Sequence, residues 1–325
     1  MRLAIRTIAV ACFAAVCVAK PVSAAFIDPF YAGSYAMTSL GGVSGVPAPL
    51  GGVTFKQGDT NTLLIGGSAN NTGGAIYSVG VVRDSGGHIT GFSGPASFFA
   101  DADSPGGGID GGLQYGPNGV LFYTSYHDNY LGQIKPGSTG PDKLIGLDSL
   151  GIANSVGALA FTPAGYGSTT GHLKLASYNY SRWYDATISA DGGGTFNVTI
   201  NPGYVQLEGG IEGIAFVPLG SELFANPSVL IAEWAAGNVV AYDLDSNGNP
   251  IVSTRRLFID GLSGAEGAVI DPVTGDFIFS TFGGGNQVVV VQGFSVPPPE
   301  NVPVPGALSL VGLGVLVIGG IRRRI

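Results

Sequence analysis

From residue 26 to 295, short apolar runs alternate with turns rich in Gly, Pro, Asn, Asp and Ser, and the runs repeat in phase. One phrase runs small, apolar, variable, then aromatic or aliphatic. Its copies are Gly52-Val53-Thr54-Phe55, Gly112-Leu113-Gln114-Tyr115, Ala158-Leu159-Ala160-Phe161, Gly213-Ile214-Ala215-Phe216 and, slightly shifted, Gly267-Ala268-Val269-Ile270. Pro117, Pro163, Pro218 and Pro272 follow soon after the later copies. A second apolar strand comes next and ends in an aromatic residue: Tyr123-Thr124-Ser125-Tyr126, Leu175-Ala176-Ser177-Tyr178, Ile231-Ala232-Glu233-Trp234 and Phe279-Ser280-Thr281-Phe282. The first copy, Ile65-Gly66-Gly67-Ser68, lacks the aromatic.

Third strands such as Asn238 to Tyr242 and Gln287 to Val291 lead into turns at Asp84-Ser85-Gly86-Gly87, Pro136-Gly137-Ser138, Asp191 to Gly194 and Asn247-Gly248. Asn-Gly is expected to supply the two positive φ angles of a tight hairpin. Fourth strands, among them Phe196 to Ile200 and Arg256 to Ile259, complete each unit. Four short antiparallel strands in ~50 residues make a propeller blade. The pattern predicts an all-β chain folded as a β-propeller of five blades, or six if Ala25 to Pro49 contributes more than one strand. The last unit runs out near Phe294 without a fourth strand, so Tyr35 to Leu40 is expected to fill that outer position and close the ring. A β-sandwich does not require phased repetition, and β-helix rungs are shorter.

Composition narrows the alternatives. With 55 Gly and 20 Pro in 325 residues a helical bundle is disfavoured, because Gly costs a helix up to ~1 kcal/mol against Ala. Only 11% of residues are charged and 45% are hydrophobic, which excludes disorder. The two end segments hold six of the 14 Lys and Arg, leaving eight basic groups against 22 acidic ones in between, a net charge near −14. A field of that sign repels phosphate backbones and speaks against a nucleic-acid partner.

Residues 1–24 read as a signal peptide that forms a short apolar helix: Arg2 and Arg6 precede the apolar Ile8 to Val18, and Val22-Ser23-Ala24 offers small residues for cleavage. Both cysteines, Cys12 and Cys17, lie within it, so the mature chain has no thiol for disulfides, zinc or nucleophilic catalysis. At the far end a Pro-rich linker, 296–301, precedes Val302-Pro303-Val304-Pro305, the apolar helix Ala307 to Ile321, and Arg322-Arg323-Arg324. This ending, residues 302–325, resembles the PEP-CTERM sorting signal of Gram-negative bacteria, with Val304 where that family usually has Glu. The resemblance implies an exosortase-type processing enzyme as partner, transient anchoring in the inner membrane through the C-terminal transmembrane helix, and delivery to the cell surface or an extracellular polysaccharide matrix. Residues 25–295 form the propeller domain between these ends.

Candidate chemistry follows from the repeat phase. Glu212 and Glu266 each precede Gly at the start of a first strand, and Asp110, before Gly111-Gly112, is one residue out of phase; Gly51 takes the place in the first unit. Residues entering the innermost strand of a propeller ring its axis, where carboxylates from several blades can meet a hard cation such as Ca²⁺. Asn154 of the third unit offers a further oxygen. The bland reading is a set of solvated groups lining a wet channel. Tyr126, Tyr178, Trp234 and Phe282 share one phase, and either ring a mouth of the propeller, where aromatic faces stack on sugars or peptides, or pack between blades. Asp243 to Gly248 matches the opening of a calcium loop but has Thr254 where a bidentate Glu belongs, so it reads as a hairpin turn. His88, His127 and His172 share no phase.

The stretch Asn238 to Leu262, with Glu-Gly at 212 and 266, resembles gluconolactonase-like and NHL-type propellers. That likeness implies a divalent metal on the axis, with Glu212, Glu266 or Asn154 as the matching ligands, and lactone hydrolysis as an activity. The primary expectation is a binding or matrix module in which a divalent cation is optional and no cofactor is required; a metal-dependent hydrolase is the alternative.

Overall fold

The structure, a computed structural model, describes residues 25–297. The signal segment, the sorting motif and the apolar tail helix expected above lie outside those residues. Among the described residues no helix is long and apolar enough to cross a membrane.

The chain opens with two short strands, β1 (Phe26–Ile27) and β2 (Ala36–Gly41). Blade 1 follows with β3 (Leu50–Lys56), β4 (Asp59–Gly67), β5 (Ala75–Arg83) and β6 (Ile89–Asp101). Blade 2 holds β7 (Gly108–Tyr115), β8 (Leu121–Tyr126), β9 (Tyr130–Ile134) and β10 (Lys143–Gly146). Blade 3 is β11 (Val156–Phe161), β12 (Leu173–Ser177), β13 (Arg182–Ala190) and β14 (Phe196–Ile200), with β15 (Val205–Gln206) paired onto β13. Blade 4 runs β16 (Ile211–Phe216), β17 (Ser228–Glu233), β18 (Asn238–Asp243) and β19 (Arg256–Asp260), and blade 5 has β20 (Ala265–Ile270), β21 (Phe277–Thr281) and β22 (Val288–Gln292). All pairings are antiparallel, and the innermost strands β3, β7, β11, β16 and β20 stand side by side around one axis. The protein is an all-β, five-bladed propeller.

The blades explain the sequence pattern. Middle strands are covered on both faces by neighbouring blades, so β17, Ser-Val-Leu-Ile-Ala-Glu, is buried throughout. An outer strand such as β14, Phe-Asn-Val-Thr-Ile, alternates buried and exposed because only one face is covered. The apolar core is accordingly divided among the interfaces between blades. One cluster joins Val53, Ile65 and Val79 of blade 1 to Ile278 and Val290 of blade 5, and another joins Ala158 and Trp183 of blade 3 to Ile214 and Val240 of blade 4. Stability thus depends on closing the ring.

The N-terminal segment does this twice. β2 pairs with β22, Ala36 opposite Gln292, and supplies the missing outer strand of blade 5. Residues 25–49 do contain more than one strand, yet no sixth blade results: β1 pairs with β19 and extends blade 4 as a fifth strand. Between the two, Tyr31 and Tyr35 are buried in a cluster with Phe224, Phe258 and Phe294, with tyrosine and phenylalanine ring centroids 4.5 to 5.9 Å apart. The strap covers the sheet edges that would otherwise be open for pairing.

One turn departs from its sequence reading. At Asn247-Gly248 only Gly248 takes a positive φ, 67°. The loop is closed instead by Asp245, whose carboxylate accepts the N–H groups of Asn247 and Asn249 at 2.8 and 2.9 Å. The second carboxylate of this calcium-loop lookalike is thus committed to backbone donors.

Candidate functional site

Every innermost strand is bulged where it enters the axis. In β16 three residues, Ile211 to Gly213, stand against two of β17, and in β20 four, Ala265 to Ala268, stand against three of β21. In β7 the bulge is wider: five residues, Ile109 to Leu113, oppose three of β8. A bulge re-aims side chains next to a site, and the wider one absorbs the one-residue offset of Asp110. As a result Asp110, Glu212 and Glu266 converge, each offering an oxygen within 4.8 Å of the others. All three are buried, at 0, 4 and 1% exposure.

Glycine makes room for this convergence. A Cβ at Gly157, the blade 3 counterpart of Glu212, would be driven into the Glu212 carboxylate. One at Gly111 would meet the Glu212 carbonyl oxygen. The narrow axis of five blades therefore admits three carboxyl side chains because the neighbouring positions carry none. Asn154 does not join them: it is exposed in the loop before β11.

Missed in the sequence was Asn70. It follows the blade 1 phrase that lacks an aromatic, takes a left-handed φ of 65°, and donates its N–H to Ile109 O beside Asp110. Its Oδ1 is buried without a hydrogen-bond partner, as are both carboxylate oxygens of Asp110, Oε2 of Glu212 and Oε1 of Glu266. The clue was the residue change itself: the blade that gives up the aromatic puts Ser68-Ala69-Asn70-Asn71 in its place.

Burial raises all three carboxyls. Asp110 is pushed up to about 7, chiefly by desolvation. Glu212 and Glu266 rise well above the ordinary carboxyl range, first through burial and then through the charge of Asp110. Two like charges ~4.8 Å apart repel by roughly 3–4 kcal/mol at an effective dielectric of ~20. The cluster therefore either shares protons or surrounds a cation. Its orphaned atoms are all hard oxygens, the donor set of Ca²⁺ or Mg²⁺ rather than of a soft metal, so the residues present fit such an ion.

Above the carboxyls lies a collar. Tyr126 ends the second strand of blade 2, and Tyr178, Trp234 and Phe282 directly follow those of blades 3 to 5, at the end of the axis where the first strands begin. Successive rings meet edge to face: Tyr126 and Tyr178 at 6.4 Å, Tyr178 and Trp234 at 5.8 Å, Trp234 and Phe282 at 6.1 Å. All four are half-buried, so each both packs against a neighbouring blade's ring and presents surface. Tyr178 is raised by burial and next by the charge of Glu212, which ties the collar to the carboxyls below. The collar is open at blade 1, where Ser68 stands in the aromatic position. His88 pairs with Asp276 and His172 with Asp185, while His127 is exposed beside Tyr126, so the three histidines form no common site.

Fold and site together define a five-bladed propeller with an acidic axis under an aromatic mouth. No protein-family model and no curated protein sequence matches the chain. Among solved structures it is similar to a glucose dehydrogenase, at 12% identity and a TM-score of 0.46 over 78% of this chain and 98% of that one. The PQQ-bound aldose sugar dehydrogenase of Streptomyces coelicolor is 14% identical, with a TM-score of 0.42 over 78% of this chain and 83% of its own. A streptogramin B lyase is 13% identical, with a TM-score of 0.39 over 79% and 97%. At these values the likeness carries no inference about activity.

Proposed function

We propose that the protein is an exported propeller that binds its ligand at the mouth of an axis loaded with a hard divalent cation, Ca²⁺ in the first instance. Asp110, Glu212 and Glu266 would hold the ion, with Asn70 as a further oxygen, and the ion would balance their charge and anchor ligand oxygens. The collar supplies aromatic faces for the apolar side of a sugar or peptide group. The observation that carries this reading is the convergence of three buried carboxyls whose outer oxygens have no partner. Such groups are costly unless something fills the gap between them.

The reading includes display outside the cell, which rests on the signal-like and PEP-CTERM-like ends, with an exosortase-type enzyme and matrix polysaccharide as partners. Metal content, glycan binding and lactone hydrolysis measured on the purified 25–300 propeller test the site. One bound divalent ion per chain, lost in Glu212→Gln and Glu266→Gln, is expected, with glycan affinity reduced at least tenfold in Trp234→Ala. Absence of stoichiometric metal would overturn the cation site. Lactone turnover abolished by the same carboxyl variants would replace binding by metal-dependent hydrolysis. Deleting residues 302–325 is expected to move the protein out of the surface fraction; an unchanged location would end the sorting proposal.

A further inference from the structure

We propose a second binding site on the rim of blade 3, built from Tyr180, Arg182 and Tyr204, for a neutral glycan carrying an isolated carboxylate, such as a single uronic acid. The Arg182 guanidinium lies over the Tyr204 ring at 4.2 Å and over the Tyr180 ring at 5.2 Å, and the two tyrosines are 51 and 52% exposed. Among the described residues the other arginines, Arg83, Arg255 and Arg256, each pair with a carboxylate. Among those residues Arg182 has no ion pair, its guanidinium donates no hydrogen bond, and its Nε is buried without a partner. An unpaired guanidinium on a surface that is otherwise strongly acidic is suited to receive an anion. Its fork matches a carboxylate bidentately.

The site is built rather than incidental. The turn bearing Tyr180 is tied to the segment bearing Tyr204 by Leu207 N–H to Ser181 O at 2.8 Å and by Gln206 Nε2 to Tyr180 O at 2.7 Å. Tyr204 leans on the buried Tyr184 ring at 5.9 Å, and the Tyr184 hydroxyl accepts the Ala153 N–H at 3.0 Å. Rigid tyrosines lose little entropy on binding and offer faces for sugar C–H groups. A uronic acid places a carboxylate one bond from a pyranose ring, so one residue can reach the guanidinium and a tyrosine face together. The excess of acidic groups around the propeller disfavours a polyanion at long range, which selects a sparse charge on a neutral chain.

The test uses the propeller with a disaccharide of glucuronic acid linked to glucose, its methyl ester, and a short Glu-containing peptide, by ligand-observed NMR titration. The acid is expected to bind, with the ester and the peptide at least tenfold weaker. Arg182→Gln and Tyr204→Ala should each lose at least tenfold, while Glu212→Gln leaves the affinity unchanged. No binding by the wild-type protein, equal affinity for acid and ester, preference for the peptide, or unchanged affinity in Arg182→Gln would overturn the proposal. Loss of binding in Glu212→Gln would place the ligand at the axis instead and overturn the separate site.

Discussion

Two buried polar clusters in this propeller are built on opposite terms. Between blades 3 and 4, Lys174 is wholly buried, yet its ammonium donates to Asp185 at 2.6 Å, Asn249 Oδ1 at 2.9 Å and Asn247 O at 2.9 Å. Asp185 also accepts from His172 and Asn201. Burial alone would raise Asp185, but the hydrogen bonds from Lys174, Asn201 and His172 outweigh it and hold the carboxyl below its usual range. That cluster is closed. The axial carboxyls are like-charged, converge with no cationic side chain in the group, and keep oxygens without partners. A closed cluster ties blades together; an open one is shaped for something the chain does not supply.

The contrast predicts substitutions of opposite sign. Asp185→Asn leaves Lys174 buried without its counter-charge and is expected to destabilise by roughly 3–5 kcal/mol, read as a lowered denaturation midpoint. Glu212→Gln in cation-free protein at pH 8 should instead stabilise by on the order of 1 kcal/mol, since it relieves a group whose ionisation the fold opposes. Destabilisation of similar size in both variants would erase the distinction.

Next in size is the response to cation. A hundredfold excess of Ca²⁺ over its Kd is expected to stabilise the wild-type propeller by about 2.7 kcal/mol. The combined Asp110→Asn, Glu212→Gln and Glu266→Gln protein should not respond. An equal rise in Tm for both would move the ion elsewhere.

A further contrast is the pH dependence without metal. The axial carboxyls bind protons more tightly folded than unfolded, because Asp110 is raised to about 7 and both glutamates lie higher than usual. Their contribution is therefore present in full below the unfolded value near ~4 and is lost as pH climbs through 7 and above. Wild-type stability relative to the combined variant should fall over that window, and Ca²⁺ should remove the slope. A difference that grows with pH would contradict the raised carboxyls.

The blades were legible because each strand's burial is local to its own unit and repeats with it: β17 carries the unbroken apolar run Val-Leu-Ile-Ala since both its faces are covered. Closure by the N-terminal segment followed from counting, as blade 5 lacked a strand. The destination of β1 did not, because two residues on the edge of blade 4 carry no periodic signal. Phase alone placed Glu212 and Glu266 at equivalent points, while Asp110 reached them only through the wider bulge of β7, a register feature no side-chain pattern records. Asn70 escaped because blade 1 departs from the repeat at that point. Arg182 escaped for a different reason: it is single, and its place between Tyr180 and Tyr204 depends on β15 folding back onto β13.

Periodicity, turn residues and composition were enough by themselves to determine an all-β propeller with five phased units, since these properties are set by neighbours within each ~50-residue module. The tertiary structure alone decided which carboxyls share one space, that their oxygens go without partners, and which arginine is left unpaired. Those outcomes depend on distances across the axis and between loops, and such distances exist only once the ring has closed.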